Sequence, residues 1–142
     1  MIDYIRDISV ADYNGLRRSV GWSAVEESQA KTGIRNSFFL TVAVADGRPV
    51  GMARVVGDGG YFMLIVDVVV HPEFQGLGIG RDMMKQAMNA IHTHMKAGQS
   101  VMVNLMSAKG KEPFYEKFGF TARPSDKHGA GMVMYVTPEK EK

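Results

Sequence analysis

The sequence predicts an α/β (α+β) fold, a central mixed, mostly antiparallel sheet of about six to seven strands flanked by about four helices. Three observations predict it. The β-branched and aromatic run Phe38–Ala45 turns at Asp46-Gly47 into Val50–Val56, and the cluster Gly57-Asp58-Gly59-Gly60 hands that run on to Tyr61–Val66, so three antiparallel strands follow one another. The apolar stretch then continues through Val70, stops at Pro72, passes Gly76, Gly78 and Gly80 and opens into a helical pattern, and a further apolar alternation at 100–105 completes a strand–helix–strand crossover with parallel strands. Finally, 142 residues at 45% hydrophobic content make one domain with a core of its own, expected to span 1–142.

Taken in order, Ile2 and Tyr4 alternate with charged positions as a short first strand. Ser9, with Asp12 three residues on, caps a helix carrying Val10, Tyr13 and Leu16 at helical spacing and ending at Arg17-Arg18. Ser23-Ala24-Val25-Glu26 reads as a second capping box, with a short helix over Glu27–Thr32 closed by Gly33. Trp22, between the two helices, either packs them onto the sheet or lines a pocket. In the hairpin, Arg54 interrupts an apolar strand and is either on a solvated face, the favoured reading, or a pocket-lining charge.

The helix from Arg81 to about Lys96 places Met84, Ala87, Met88, Ile91 and Met95 on one core stripe, with Gly98 as its stop. His92 and His94 are two apart and point to different sides, and His71 and His128 stand alone, so no metal is expected. Val101, Val103 and Leu105 share one face of the next strand. Pro113 suits the first turn of a helix over Phe114–Lys117 closed by Gly119. Residues 120–123 and 132–136 are expected as a final strand pair around the polar loop 124–131, followed by the charged tail Glu139–Lys142.

The 17 basic and 15 acidic residues leave a net charge of +2. They are scattered and form no nucleic-acid footprint, so they support at most a weakly positive groove for an anionic cofactor. There are no cysteines, which removes disulfides, thiolate nucleophiles and cysteine zinc sites and suits a reducing cytoplasm, the expected location. No amino-terminal leader pattern and no run of about 18 apolar residues is present, so no membrane partner is expected.

The chemistry concentrates in Val66–Arg81. Glycines at 76, 78 and 80 let several N–H groups converge on one anion at the positive end of the helix, as a phosphate or pyrophosphate requires. A nucleoside-triphosphate loop would need Lys-Ser or Lys-Thr after its last glycine, but Arg81-Asp82 follows. A dinucleotide fingerprint would need G-x-G-x-x-G, and these glycines alternate. Those two readings fail, which leaves an anion cradle or a plain left-handed turn between strand and helix.

Gln75-x-x-Gly78-x-Gly80 resembles the pyrophosphate-binding signature of the Gcn5-related N-acetyltransferase (GNAT) superfamily. Pro113-Phe114-Tyr115-Glu116-Lys117-Phe118-Gly119-Phe120 is similar to that family's Tyr-x-x-x-Gly-Phe segment. The resemblance covers nearly the whole chain in element order and implies the acyl-CoA N-acyltransferase fold, with a splayed parallel strand pair. It implies an acetyl-CoA-dependent N-acetyltransferase that transfers the acetyl group to a primary amine by direct attack, with no acyl-enzyme. The implied cofactor-binding residues are Val68, Val69 and Val70 for the pantetheine arm and Gly76, Leu77, Gly78, Ile79, Gly80 and Arg81 for the pyrophosphate. Tyr115 is the implied proton donor to the departing thiolate. A phenol near pKa 10 and a thiol near about 8.5 are matched well enough for that transfer.

Asp67, the polar interruption of the strand, is the candidate general base or else a hydrogen-bonded structural aspartate; Glu26 and Glu27 are weaker candidates. The sequence departs from the family at Ala108, where many members have an asparagine; Asn104 and Ser107 lie nearby. Expected partners are a small-molecule or peptide amine and a second copy in a homodimer. The alternative reading on the same fold is a non-catalytic acyl-CoA-binding sensor or interaction module.

Overall fold

The computed structural model describes residues 1–138, so the expected tail Glu139–Lys142 lies outside the described residues. The chain divides into two compact units, Met1–Leu105 and the residues from Met106 on. The first holds one five-stranded sheet in the order β1 (Ile2–Ile5), β2 (Phe39–Ala45), β3 (Arg48–Gly57), β4 (Phe62–Val70) and β5 (Met102–Leu105). Every pairing is antiparallel except β4 with β5. The helices of this unit are α1 (Val10–Ser19), α2 (Glu27–Arg35) and α3 (Ile79–His94); α4 (Glu112–Glu116) lies in the second unit.

Local chemistry explains most boundaries. Ser9 caps α1 by accepting the Asp12 N–H at 3.0 Å. The hairpin turn has Asp46 at φ 49° and Gly47 at φ 76°, both left-handed, as a tight turn matched to strand twist demands. α2 departs from expectation: its N-cap is Glu26, whose carboxylate accepts from the N–H groups of Ser28 and Gln29, and the helix runs through Gly33 to Arg35. α3 begins two residues earlier than expected because Gly78, left-handed at φ 83°, sets its first turn, and it ends at His94 rather than about Lys96.

Period-two alternation sorts the sheet residues between two layers. Leu40, Val42, Met52 and Val69 pack with Tyr13 and Leu16 of α1 and Ala30 of α2. Ala43, Ala53, Val68 and Val70 pack with Ile79 and Met83 of α3. Met83, Met84, Ala87 and Ile91 are the buried stripe of α3; of the expected stripe, Met88 is half-buried and Met95 is the residue after the helix.

The expected strands at 120–123 and 132–136 are not formed, and the sheet has five strands rather than six or seven. Met132, Val133, Met134, Tyr135 and Val136 are all at least 69% exposed. Their β-propensity is genuine, but a strand exists only where a ladder partner meets it, and propensity does not name that partner.

Candidate functional site

β4 pairs with β5 only over Phe62–Ile65, against Met102–Leu105. From Val66 to Val70 it keeps β3 on one side and has no parallel neighbour among the described strands. One edge of Val66–Val70 therefore presents backbone groups that an amide-bearing ligand can satisfy. Beyond β4, the Gln75 side chain donates to the Val70 carbonyl at 3.0 Å and folds the chain end back on the strand.

The glycine loop follows. Among the described residues, no protein acceptor takes the N–H of Gly76, Leu77, Gly78, Ile79, Gly80 or Arg81; the first amide to be engaged is that of Asp82, at 3.0 Å from the Gly78 carbonyl. Gly78 has no side chain with which to cap α3. Six consecutive amides are thus left free at the positive end of a 16-residue helix, where backbone donors and the helix dipole favour an anion. Arg81, with a side chain 60% exposed, adds a full positive charge beside it and is only loosely paired with Asp82 at 3.4 Å. These six residues are those the sequence points to for the pyrophosphate.

Of the two expected readings of Asp67, general base or hydrogen-bonded structural aspartate, its hydrogen bonds fit the second. It sits at a β-bulge: Asp67 and Val68 oppose the single residue Ala53, between the pairs Arg54–Val66 and Met52–Val69. Its φ of 53° is left-handed, a conformation costing about 1–2 kcal/mol for a residue with a Cβ. The carboxylate is 8% exposed and fully engaged. One oxygen accepts from the Tyr13 hydroxyl at 2.6 Å and Arg54 Nε at 3.0 Å, the other from Arg17 Nη1 at 2.8 Å. A general base needs a lone pair turned to the acceptor amine, whereas this carboxylate is an anchor between two guanidiniums. Glu26 is likewise spent, on the cap of α2, and the hydrogen bonds it accepts from the Ser28 hydroxyl and then from the Ser28 and Gln29 N–H groups hold its carboxyl below the usual carboxylate range.

Tyr13, Arg17 and Arg54 are the residues sequence reasoning missed. Arg54 is not on a solvated face: its side chain is 12% exposed, and its Nη1 also donates to the Gly33 carbonyl and the Ser37 hydroxyl, each at 2.9 Å. The signal was there, since Arg54 and Asp67 are single charged interruptions in two successive apolar strands, and buried charges must pair. Burial and the hydrogen bond to Asp67 push the Tyr13 phenol pKa up, so it stays a donor. Trp22 is half-buried against the α1–α2 core and lies 5.3 Å beneath the Arg17 guanidinium, which fits the packing reading.

In the second unit, Tyr115 stands on α4 with its ring edge-on to Phe114 at 5.0 Å and to Phe120 at 6.3 Å. Burial raises its pKa, which keeps the phenol protonated through neutral pH. Gly119, at φ 97°, turns the chain after the helix. Of the residues near the missing asparagine, Ser107 donates to the Ala108 carbonyl at 2.8 Å, and Asn104 donates to backbone carbonyls of Met63 and Met102.

A groove of about 820 Å³ runs between the turn at Arg6–Ala11, α2 and Phe38–Leu40. Of the expected site residues it contains only Glu27, one of the weaker base candidates, and its charges are mixed: Arg6, Lys31 and Arg35 with Asp7 and Glu27. No helix among the described residues is long and apolar enough to cross a membrane.

Comparison with known proteins bears on the family and the fold. The sequence profile described as an acetyltransferase (GNAT) domain matches residues 11–136. The uncharacterized N-acetyltransferase ycf52 of Pyropia yezoensis is 29% identical over 128 residues, covering 87% of this chain and 71% of that protein. Serotonin N-acetyltransferase 2, chloroplastic, of Oryza sativa subsp. japonica is 29% identical over 82% of this chain and 58% of its own length. Among solved structures, a probable acetyltransferase of unknown function from meticillin-resistant Staphylococcus aureus superposes with a TM-score of 0.85 at 31% identity, over 96% of this chain and all of that one.

Proposed function

Because the chain belongs to the GNAT acetyltransferase family, we propose that it transfers the acetyl group of acetyl-CoA to a primary amine on a small molecule or peptide. The single observation that carries the cofactor assignment is the run of six unengaged amides from Gly76 to Arg81 directly after the open edge of β4. A pyrophosphate needs converging donors, and an extended amide-bearing arm needs an unpaired strand edge; Val68, Val69 and Val70 supply the edge in this reading. Residues 1–142 act as one domain, a reading supported by a family match that runs through the Leu105–Met106 junction.

Bound acetyl-CoA supplies the activated acyl group. The acceptor amine attacks the thioester carbonyl, and the departing sulfur takes a proton from Tyr115, whose raised pKa keeps the phenol in its donating form. The chain has no cysteine, so a cysteinyl acyl-enzyme has no nucleophile. With Asp67 committed to three donors, the amine proton leaves to water. No metal takes part in this scheme, and the cytoplasm is the proposed compartment.

Release of free thiol from acetyl-CoA with a panel of amines tests the proposal. Arylalkylamines belong in that panel because of the rice relative's name, alongside polyamines, amino acids and peptide amino termini. Turnover with one class is expected. Tight coenzyme A binding with no turnover on any amine would replace the enzyme with the binding-module reading, and no coenzyme A binding at all would remove both.

A further inference from the structure

The charged residues around Asp67 link parts of the first unit that are far apart in sequence. Asp67 lies on β4 at the one point where the strand is bulged and left-handed. Its carboxylate holds Tyr13 and Arg17 of α1 on one side and Arg54 of β3 on the other. Arg54 is itself tied to the Gly33 carbonyl in α2 and to Ser37 after it. Arg17 is tied to the Ser23 carbonyl at 2.8 Å and lies over Trp22. The network thus joins the bulge to both helices and to the loop between them, and no buried side-chain polar atom among the described residues lacks a partner.

The bulge also falls where β4 parts from β5. The last parallel pair is Ile65 with Leu105, and Asp67 comes two residues later. Bulges bend a strand and increase its local twist, so whatever holds the bulge aims the following residues, Val68 to Val70. We infer that the Arg17–Asp67–Arg54 clamp is the positioning device of the cofactor site: it fixes the bulge that turns the open edge of β4 toward the acyl-CoA arm and ties that edge to the Trp22 loop. Asp67 is then a positioning residue and not a base. This rests on the acetyl-CoA reading for its functional consequence, but its structural part does not.

Two physical demands meet at this position and can be separated by substitution. Asp67→Gly meets the left-handed backbone without strain but removes the clamp. Asp67→Asn keeps a side chain that tolerates the same φ, and keeps one carbonyl oxygen to accept from an arginine, but loses the charge. The parent protein and both variants are compared by calorimetry with acetyl-CoA, by steady-state kinetics across pH, and by amide hydrogen exchange of the ligand-free proteins.

The expected result is faster exchange at Val68–Val70 in Asp67→Gly, a rise of about ten-fold or more in its Kd for acetyl-CoA, partial rescue by Asn, and an acidic limb of the kcat/KM profile unchanged in shape. Unchanged exchange at Val68–Val70 would overturn the clamp. So would a loss confined to kcat together with loss of the acidic limb, because that pattern belongs to a base. If the parent protein bound no acetyl-CoA, the proposed function would fall, while the exchange data would still decide the clamp. Should Asp67→Gly not fold, Arg17→Met, which removes one donor from a side chain 20% exposed, carries the same exchange test with the same outcomes.

Discussion

Replacing Gly78 with valine puts the pyrophosphate assignment under direct test. Gly78 has φ 83°, where a β-branched residue carries strain on the order of 1–3 kcal/mol. A Cβ there would stand 2.8 Å from Arg81 Nη2, but that atom ends an exposed flexible side chain that can swing aside, so the backbone term dominates. If the loop keeps its path, the strain appears as lost stability, at roughly 4 °C of melting temperature per kcal/mol. If the loop relaxes toward negative φ, the amides of Gly76 to Arg81 no longer converge, and coenzyme A binding weakens by up to the same energy, about 5- to 150-fold. Calorimetry with coenzyme A on the folded variant reads this directly. Gly47→Ala is the control: it has φ 76° and open space around the added Cβ, so it bears comparable strain at a hairpin turn with no role in the cradle. The reasoning fails if Gly78→Val binds with parental affinity, or if Gly47→Ala loses affinity to the same extent.

Tyr115→Phe keeps the ring contacts with Phe114 and Phe120 and deletes the proton, so kcat is expected to fall by about 10²-fold with little change in acetyl-CoA affinity or melting temperature; an unchanged kcat where chemistry limits would leave the residue a packing role only. Gly57→Ala would set a Cβ 2.5 Å from the Phe62 carbonyl oxygen and 2.7 Å from the Met63 sulfur; the β3–β4 pair must shift, and denaturant melts should show a loss of about 1–3 kcal/mol. The raised pKa of Tyr13 means that the folded state holds this proton more tightly than the unfolded state. Its contribution to stability is therefore complete below the ordinary phenol pKa of about 10 and is lost as pH rises through the raised folded value. Urea midpoints from neutral pH upward should fall in that alkaline window, and Tyr13→Phe should flatten the fall.

The sequence by itself determined what short-range geometry decides. Ser9 and Asp12 define a cap within one turn, and Asp46-Gly47 defines a hairpin. The alternating glycines and the pattern behind them define a left-handed loop opening a helix, because backbone freedom needs no distant partner. Tertiary structure decided the rest. Asp67 could be read as a base or as an anchor until Tyr13 and Arg17, 54 and 50 residues away, closed on it. Arg54 looked solvent-facing until its strand neighbour proved to be that aspartate. The apolar run at 132–136 promised a strand that no ladder receives. Periodicity records which residues prefer a pleated or helical backbone, but a buried charge or a strand edge is defined by what meets it, and that meeting depends on how separate elements pack.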